Sequence, residues 1–399
     1  MYLTREEERI LDGEEGEAES LALRVLVKVG EALGAERLVP VVHAHASGIS
    51  YSNIGEPGLR FIERLARMGG KVRVYATVNP IGMDSEYWPS MGVDSGFAEK
   101  QLRVLRALRD MGFELALTCT PYYLRRPKLG EHLAWGESSA VAYANTVYGA
   151  RTNREGGPLA LMAALVGRTY LAGMHLDENR RPTLLVDASW AGVGSATEAG
   201  LLGGLLGELV GEGVPYIVGV PRWREVWVKE LCAAAGALGS LAMCLIEGVS
   251  PEAPKFRAEL SGLERVQVEP KDLESVKEKL SGGGEPDLLY LGCPHASLEE
   301  LRELARLLEG RGRVRREFWV GVSRTVFLEA LREGLVEKLR SHGIKVWKDT
   351  CPVVAPLRGA GFRTVGTNSV KTAFYMPRMH GIGALVMGLE EMVEYAFRE

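Results

Sequence analysis

Three of the five cysteines occupy the same kind of position, and together they are the strongest chemical signal in the sequence. Cys119 comes at the end of FELALTC, Cys293 ends LLYLGC, and Cys351 follows IKVWKDT; each has a proline within two residues after it. Proline stops a strand and keeps the preceding residue extended. We therefore predict that each thiol lies at the carboxyl end of a strand, the edge at which open α/β sheets bind ligands.

Three such thiols allow several interpretations. They can be buried core residues, zinc ligands or ligands of an iron–sulfur cluster, and without C-x-x-C or ferredoxin-like spacing the pattern does not discriminate. Three ligands rather than four would leave one iron of a [4Fe–4S] cluster free to bind a substrate hydroxyl as a Lewis acid. Cys232 and Cys244 lie in Ala/Leu-rich, helix-like sequence and are predicted to be small buried core residues.

Small polar loops after apolar runs supply further candidates. His43 and His45 lie on one face of a predicted strand, either as a metal-binding pair or as a structural pair, and the loop 47–53 after them has backbone donors suited to an anion. A second loop contains Val78 and Asn79. Ser138 precedes an apolar helix, where it could act in the site or simply cap the helix.

Two loops add positive charge. The segment 149–157 places Arg151 and Arg154 between glycines, an arrangement that suits a carboxylate or phosphate but also a solvated turn. The segment 366–371 is a similar loop that ends in Lys371. The sequence has no Walker loop, dinucleotide fingerprint or serine-nucleophile motif.

The elements that must position these residues alternate between strand and helix, which predicts an α/β fold with largely parallel strands. The predicted strands are 37–43, 71–76, 113–118, 183–186, 216–220, 287–292, 317–322 and 344–347. The predicted helices are 61–68, 98–111, 297–308 and 325–341, with Ala/Gly-rich, closely packed helices from about 196 and around 233–235. We predict three α/β subdomains: 1–125 with Cys119, 126–280 with the Gly/Ala-rich helices, and 281–399 with Cys293 and Cys351.

Composition narrows the range of partners. The chain has 399 residues and a formal net charge of −4, so neither nucleic acid nor a membrane is expected as a partner, whereas a small anionic substrate could be held by local arginine or lysine. The polar, acidic start MYLTREEERI is not a signal peptide, and we expect a cytoplasmic protein with reduced thiols. Only six Asn and two Gln are present, which favours a thermophilic source.

Taken together, these segments resemble the aconitase X family, specifically its catalytic large-subunit part. The matching stretches are HASGISYSNIGEPG, ATVNP, LTCTPYY, WGESSAVAYANTVYGARTNREGG, LGCPHAS, DTCPVVAP and TNSVKTAFYMP. The resemblance implies an aconitase-like fold of three α/β subdomains around a central [4Fe–4S] cluster, with Cys119, Cys293 and Cys351 as its ligands. Classical aconitases carry two cluster cysteines as C-x-x-C, which this chain lacks, so their details cannot be transferred by position.

The resemblance implies a hydro-lyase. The expected reaction is dehydration of (R)-5-phosphomevalonate to trans-anhydromevalonate 5-phosphate in the mevalonate route of archaeal isoprenoid biosynthesis; alternatives are dehydration of cis-3-hydroxy-L-proline and a non-catalytic iron–sulfur or zinc protein. The expected catalytic residues are Glu137, Ser138, Arg154 and Lys371. The expected substrate contacts are Gly48, Ile49, Ser50, Asn53, Val78, Asn79, Asn145, Arg151, Asn153, Asn368 and Ser369.

From the resemblance, we expect the family's small swivelling domain to lie outside this sequence. The resemblance therefore implies a separate small subunit that forms a heterodimer with this chain. A serine of that subunit is a candidate for the catalytic base.

Overall fold

Each third of the chain contains its own parallel sheet, and helices pack on all three sheets. The structure is a computed structural model that describes residues 1–398. In the first third, the sheet has the strand order β3-β2-β4, and β1 pairs antiparallel with β5 beside it. Its elements are α1 (Arg5–Leu11), α2 (Glu17–Ala32), β1 (Leu38–Pro40), β2 (His43–Ala46), α3 (Tyr51–Arg67), β3 (Tyr75–Val78), α4 (Ser95–Asp110), β4 (Ala134–Trp135), α5 (Ser138–Tyr143), α6 (Gly156–Val166) and β5 (Arg168–Tyr170).

The middle and last thirds contain the larger sheets. The middle sheet has the order β8-β7-β6-β9 and the last has β12-β11-β10-β13-β14, with every neighbouring pair parallel, so the prediction of largely parallel sheets is confirmed. The elements are β6 (Leu184–Asp187), α7 (Ala196–Val210), β7 (Pro215–Val218), α8 (Glu225–Leu238), β8 (Leu245–Ile246), β9 (Arg265–Gln267), α9 (Pro270–Leu280), β10 (Leu288–Leu291), α10 (Leu298–Leu307), β11 (Glu317–Val322), α11 (Arg324–Arg332), α12 (Leu335–Ser341), β12 (Lys345–Lys348), β13 (Thr364–Thr367), α13 (Val370–Tyr375), β14 (Gly383–Val386) and α14 (Leu389–Ala396).

Short irregular helices connect these elements. Two of them are π-helical and directly extend α5 and α13, namely Ala144–Tyr148 and Met376–His380. The others are 3₁₀ turns at Trp88–Met91, Pro121–Tyr123, Gly173–His175, Asp177–Arg180 and Ala253–Gly262. Single π turns within helices occur frequently at functional sites, and both of these follow loops that carry predicted site residues.

Several predicted elements are wrong in detail. The predicted strand 37–43 is divided between β1 and β2, which belong to different sheets, and the strand predicted at 71–76 begins only at Tyr75. The segment 113–118 is not a regular strand: Glu114 and Thr118 donate backbone hydrogen bonds to β3, but Leu117 between them has a φ of 46°, which breaks the ladder. The predicted helix 325–341 is two helices, α11 and α12, because Gly334 interrupts it with a φ of 72°.

The predicted subdomain boundaries at 125 and 280 stay predictions. In the structure, Ala134–Trp135 pair with β2 and Arg168–Tyr170 pair with β1, so backbone pairing within the first third continues to residue 170. A single hydrophobic core continues from the first sheet through α7 and α8 to one face of the last sheet, and a second core covers the opposite face of that sheet.

Helices α7 and α8 cross at backbone contact, as their Ala/Gly-rich sequences predict. A Cβ atom added to Gly203 would lie 2.2 Å from the carbonyl oxygen of Leu231, and one added to Gly207 would lie 2.6 Å from the backbone nitrogen of Gly239. Only glycine allows this approach without moving the backbone of the neighbouring helix.

We predict that Gly203→Ala lowers the thermal unfolding midpoint, although alanine favours helix by about 1 kcal/mol. The added methyl group forces the two backbones apart, at a cost of about 1–3 kcal/mol. Gly262→Ala is the control, because nothing lies within 4 Å of a Cβ at that position. Equal midpoints for the two variants in a thermal scan would contradict the close-packing argument.

Candidate active site

The three predicted cysteines meet where the first and last thirds of the chain join. The thiols of Cys351 and Cys293 are hydrogen-bonded to each other, and the three sulfurs are close enough for charge on Cys293 to act on Cys119 and for charge on Cys119 to act on Cys351. Cys119 and Cys293 are buried, while Cys351 is partly exposed to a cavity. Cys232 and Cys244 are fully buried apart from this group, with Thr146 as their neighbour, as predicted for core residues.

His295 ties together the loops that carry the three thiols. Its backbone N–H donates to the sulfur of Cys119 at 3.1 Å, and its ring Nε2 donates to the carbonyl oxygen of Thr350, next to Cys351, at 2.8 Å. It follows Cys293 by two residues, across a cis peptide bond to Pro294. Burial lowers the pKa of His295 to about 4, so the ring is neutral and can act as this donor.

The thiols differ in acidity. Burial raises the pKa of Cys119 to about 12, and the negative charge of Glu137 adds to the rise. The hydrogen bond from Cys351 lowers the pKa of Cys293 to about 7 against the effect of burial, and the same bond raises the pKa of Cys351. Holding all three as thiolates would therefore require positive charge among them, beyond that of Lys371.

A buried ion pair lies beside the thiols and joins the two thirds of the chain. Lys371, in the first turn of α13, donates to Oε1 of Glu137, which caps α5. Asn79 donates to Oε2 of Glu137 at 2.6 Å, and Ser139 donates to Oε1 at 3.0 Å. Burial alone would raise the pKa of Glu137, but Lys371 and these donors lower it to about 2. Burial alone would lower the pKa of Lys371, and the charge of Glu137 raises it instead.

An open cavity of about 260 Å³ leads to this ion pair. Seven of the predicted site residues line it together with Cys351: Gly48, Asn53, Asn79, Glu137, Ser138, Arg154 and Lys371. Within residues 1–398 the guanidinium of Arg154 has no ion-pair partner, and the hydroxyl of Ser138, a residue that is 8% exposed, has no hydrogen-bond partner in the protein. Both groups are thus available to a ligand in the cavity.

The other predicted contacts do not line this cavity. Asn145 and Asn153 use their amides to hold backbone groups of neighbouring loops, and Arg151 binds the carbonyl oxygen of His175 and the carboxylate of Asp177. Ile49, Ser50 and Val78 are buried, and Ser369 caps α13 while donating to the carbonyl oxygen of Cys293. Asn368 faces a separate cavity of about 280 Å³ between the middle and last thirds.

Sequence reasoning missed several residues of the site. His295 is one of them, although it lies within the LGCPHAS segment. Tyr375 and Met379 line the cavity from the end of α13 and its π-helical extension. The proline inside the YMP stretch was the available signal, since it forces the regular helix to end beside the site.

Known proteins match this chain over almost its whole length. Family models described as the aconitase X first, second and third domains match residues 1–178, 182–278 and 286–398. The chain belongs to the aconitase X family. Its fold agrees with a solved structure described as the aconitase X of Thermococcus kodakaraensis in its holo-form, with a TM-score of 0.92 and 42% identity over 99% of this chain and 100% of that one. The predicted aconitase-like α/β fold is confirmed.

Curated aconitase X relatives have dehydratase names. The phosphomevalonate dehydratase large subunit of Aeropyrum pernix is 49% identical over 95% of this chain and 96% of its own length. The protein of the same name from Thermococcus kodakarensis is 42% identical over 99% and 100%. The cis-3-hydroxy-L-proline dehydratase of Pseudomonas aeruginosa is 36% identical over 98% of this chain but 69% of its own length.

The buried ion pair of this aconitase X site should contribute to the stability of the fold. We expect Glu137→Gln and Lys371→Met each to destabilise the chain by about 3–5 kcal/mol, because each leaves an uncompensated buried charge. The double variant is expected to be more stable than either single variant. Thermal midpoints of the isolated chain test this, and strictly additive losses would show that the two groups do not stabilise each other.

Proposed function

We propose that this chain is the large subunit of a phosphomevalonate dehydratase. The observation that carries the proposal is its 39–49% identity to five archaeal proteins of that name over nearly their full length. The dehydratase names of the relatives favour an enzyme over a non-catalytic metal protein. The corresponding reaction converts (R)-5-phosphomevalonate to trans-anhydromevalonate 5-phosphate, which would place the enzyme in isoprenoid biosynthesis.

We further propose that Cys119, Cys293 and Cys351 hold a [4Fe–4S] cluster. No group of three His, Cys, Asp or Glu side chains within residues 1–398 is arranged to hold a single metal ion. A cubane makes no such demand, because each thiolate binds a different iron. The donor set supports the proposal: three neighbouring thiols need added positive charge to be ionised at the same time, and the two remaining cysteines lie elsewhere. When bound, such a cluster supplies a Lewis acid for the substrate hydroxyl.

The side chains of the cavity would bind and orient an anionic substrate. Arg154, which has no ion-pair partner among residues 1–398, is the candidate ligand for a carboxylate or phosphate at the cavity mouth. Lys371 places a positive charge next to the thiols, and its hydrogen bond to Glu137 fixes the position of the ammonium group. Removing a proton beside a carboxylate builds negative charge on that carboxylate, which cationic groups and the Ser138 hydroxyl would stabilise.

A separate small subunit is the proposed partner. The relatives named as large subunits imply one, and the Pseudomonas aeruginosa dehydratase extends well beyond the length that this chain matches. We propose that this partner is the swivelling domain, that it covers the cavity and that it supplies the base. No helix within residues 1–398 combines the length and apolar character needed to cross a membrane; a cytoplasmic location and a thermophilic source stay predictions.

Cysteine variants test the proposed ligands. We expect Cys119→Ala, Cys293→Ala and Cys351→Ala, each purified without oxygen, to lose the iron and sulfide of a [4Fe–4S] cluster and all dehydratase activity. Cys232→Ala and Cys244→Ala are matched controls, since those thiols are also buried, like Cys119 and Cys293, but lie apart, and both variants should keep full iron content. Full iron content in any of the first three variants would remove that cysteine from the ligand set.

Substrate choice is tested with the complete enzyme. We expect the co-expressed subunits to dehydrate 5-phosphomevalonate, and Arg154→Gln to raise KM for it by about 10- to 100-fold, the cost of a lost hydrogen bond to a charged group. The alternative, favoured by the Pseudomonas aeruginosa and Hypocrea jecorina relatives, is cis-3-hydroxy-L-proline. Turnover of that substrate alone would replace the proposed one.

A further inference from the structure

The two buried histidines of β2 have no part in the proposed chemistry, yet a series of hydrogen bonds connects them to Glu137 in the candidate site. His43 and His45 project from the same face of the strand, two residues apart. Thr77 is the register partner of His45 on β3, and its hydroxyl lies 2.8 Å from Nε2 of His43 and 2.7 Å from Nδ1 of His45. On the other side of the ring, Nε2 of His45 lies 2.9 Å from Oδ1 of Asn79.

The charge on Glu137 fixes the direction of every bond in this series. An ionised carboxylate can only accept, so Asn79 must turn its NH₂ group to Glu137 and its carbonyl oxygen to His45. His45 must then carry its proton on Nε2. Burial keeps both imidazoles neutral, so Nδ1 of His45 is bare and accepts the hydroxyl proton of Thr77.

The position of the proton on His43 follows in the same way. Because the Thr77 hydroxyl has donated its only proton, its oxygen accepts from Nε2–H of His43. Nδ1 of His43 is left bare, and within residues 1–398 that buried atom has no hydrogen-bond partner. Tyr75 and Trp135 pack against the ring at centroid distances of 4.6 and 5.3 Å and hold it in this orientation.

We propose that His43, Thr77 and His45 are positioning residues that orient the Asn79 amide, and through it the carboxylate that holds Lys371 in the site. All four hydrogen bonds of the relay donate toward Glu137. The relay orients groups and does not conduct protons, because an amide cannot pass a proton from its oxygen to its nitrogen without changing tautomer. Without the donor on His45, the Asn79 amide could rotate and present its oxygen to the carboxylate.

The proposal rests on the proposed function only where activity is measured. A first experiment avoids that dependence: long-range ¹H–¹⁵N correlation spectra of the full ¹⁵N-histidine-labelled chain at neutral pH, with signals assigned from single-histidine variants. We expect both His43 and His45 to be neutral with the proton on Nε2. A proton on Nδ1 of His45, or a charged ring, would overturn the relay even if the chain proves to be a dehydratase.

A second experiment separates positioning from packing in the complete enzyme. We expect His45→Leu to lower kcat about 10- to 100-fold, the effect of losing a hydrogen bond that supports a charged group. His45→Gln should stay within about threefold of the wild type, since its amide nitrogen can take the place of Nε2 and donate to Asn79. His132→Leu is the matched control, because within residues 1–398 the ring of His132 hydrogen-bonds only to His175, outside the cavity, and the kcat of this variant should not change.

Thr77→Val retains both imidazole rings and is the alternative test if His45→Leu does not fold. It removes the hydroxyl between the imidazoles, and we expect kcat to fall about three- to tenfold, the effect of one neutral hydrogen bond. It should also allow the proton of His45 to appear on Nδ1 in the same spectra. Wild-type kcat and an unchanged tautomer in this variant, or equal losses in the Leu and Gln variants of His45, would reject the positioning role.

Discussion

The site depends on placing one positive charge where burial opposes it. Lys371 is buried beside three sulfur atoms, and desolvation alone would favour its neutral form. Glu137 reverses this preference and is itself kept ionised by the lysine and by Asn79. Because the lysine comes from the last third of the chain and the carboxylate from the first, the pair also aligns the two halves of the cavity.

A few residues hold the loops that carry the thiols, each through more than one hydrogen bond. One residue, His295, binds the sulfur of Cys119 and the backbone beside Cys351 while following Cys293 in sequence. Ser369 caps α13 and holds the carbonyl of Cys293. These contacts connect the three cysteine loops to one another through the protein itself.

Much of this arrangement could be predicted from the sequence, because it depends on local rules. Strand-length apolar runs followed by helices predict parallel sheets, and glycine-rich helices predict the close α7–α8 contact. What failed depends on long-range contacts. No local pattern shows that Leu117 adopts a positive φ, or that Arg151 binds Asp177 while Arg154 has no ion-pair partner in the described part of the chain. The asparagines after apolar runs look alike in sequence, but only Asn53 and Asn79 of the five predicted contacts face the cavity.

The order of the cysteines along the chain has a consequence for how the protein matures. Two of the thiols, and the lysine beside them, belong to the last third, whose central strand β10 pairs with both β11 and β13. A nascent chain on the ribosome can therefore fold its first sheet with Cys119 already in place. The three thiols and the lysine cannot come together until β13 and α13 have emerged. Any group that the three sulfurs hold must consequently be inserted after β13 and α13 have been translated, into a chain whose earlier parts are already folded.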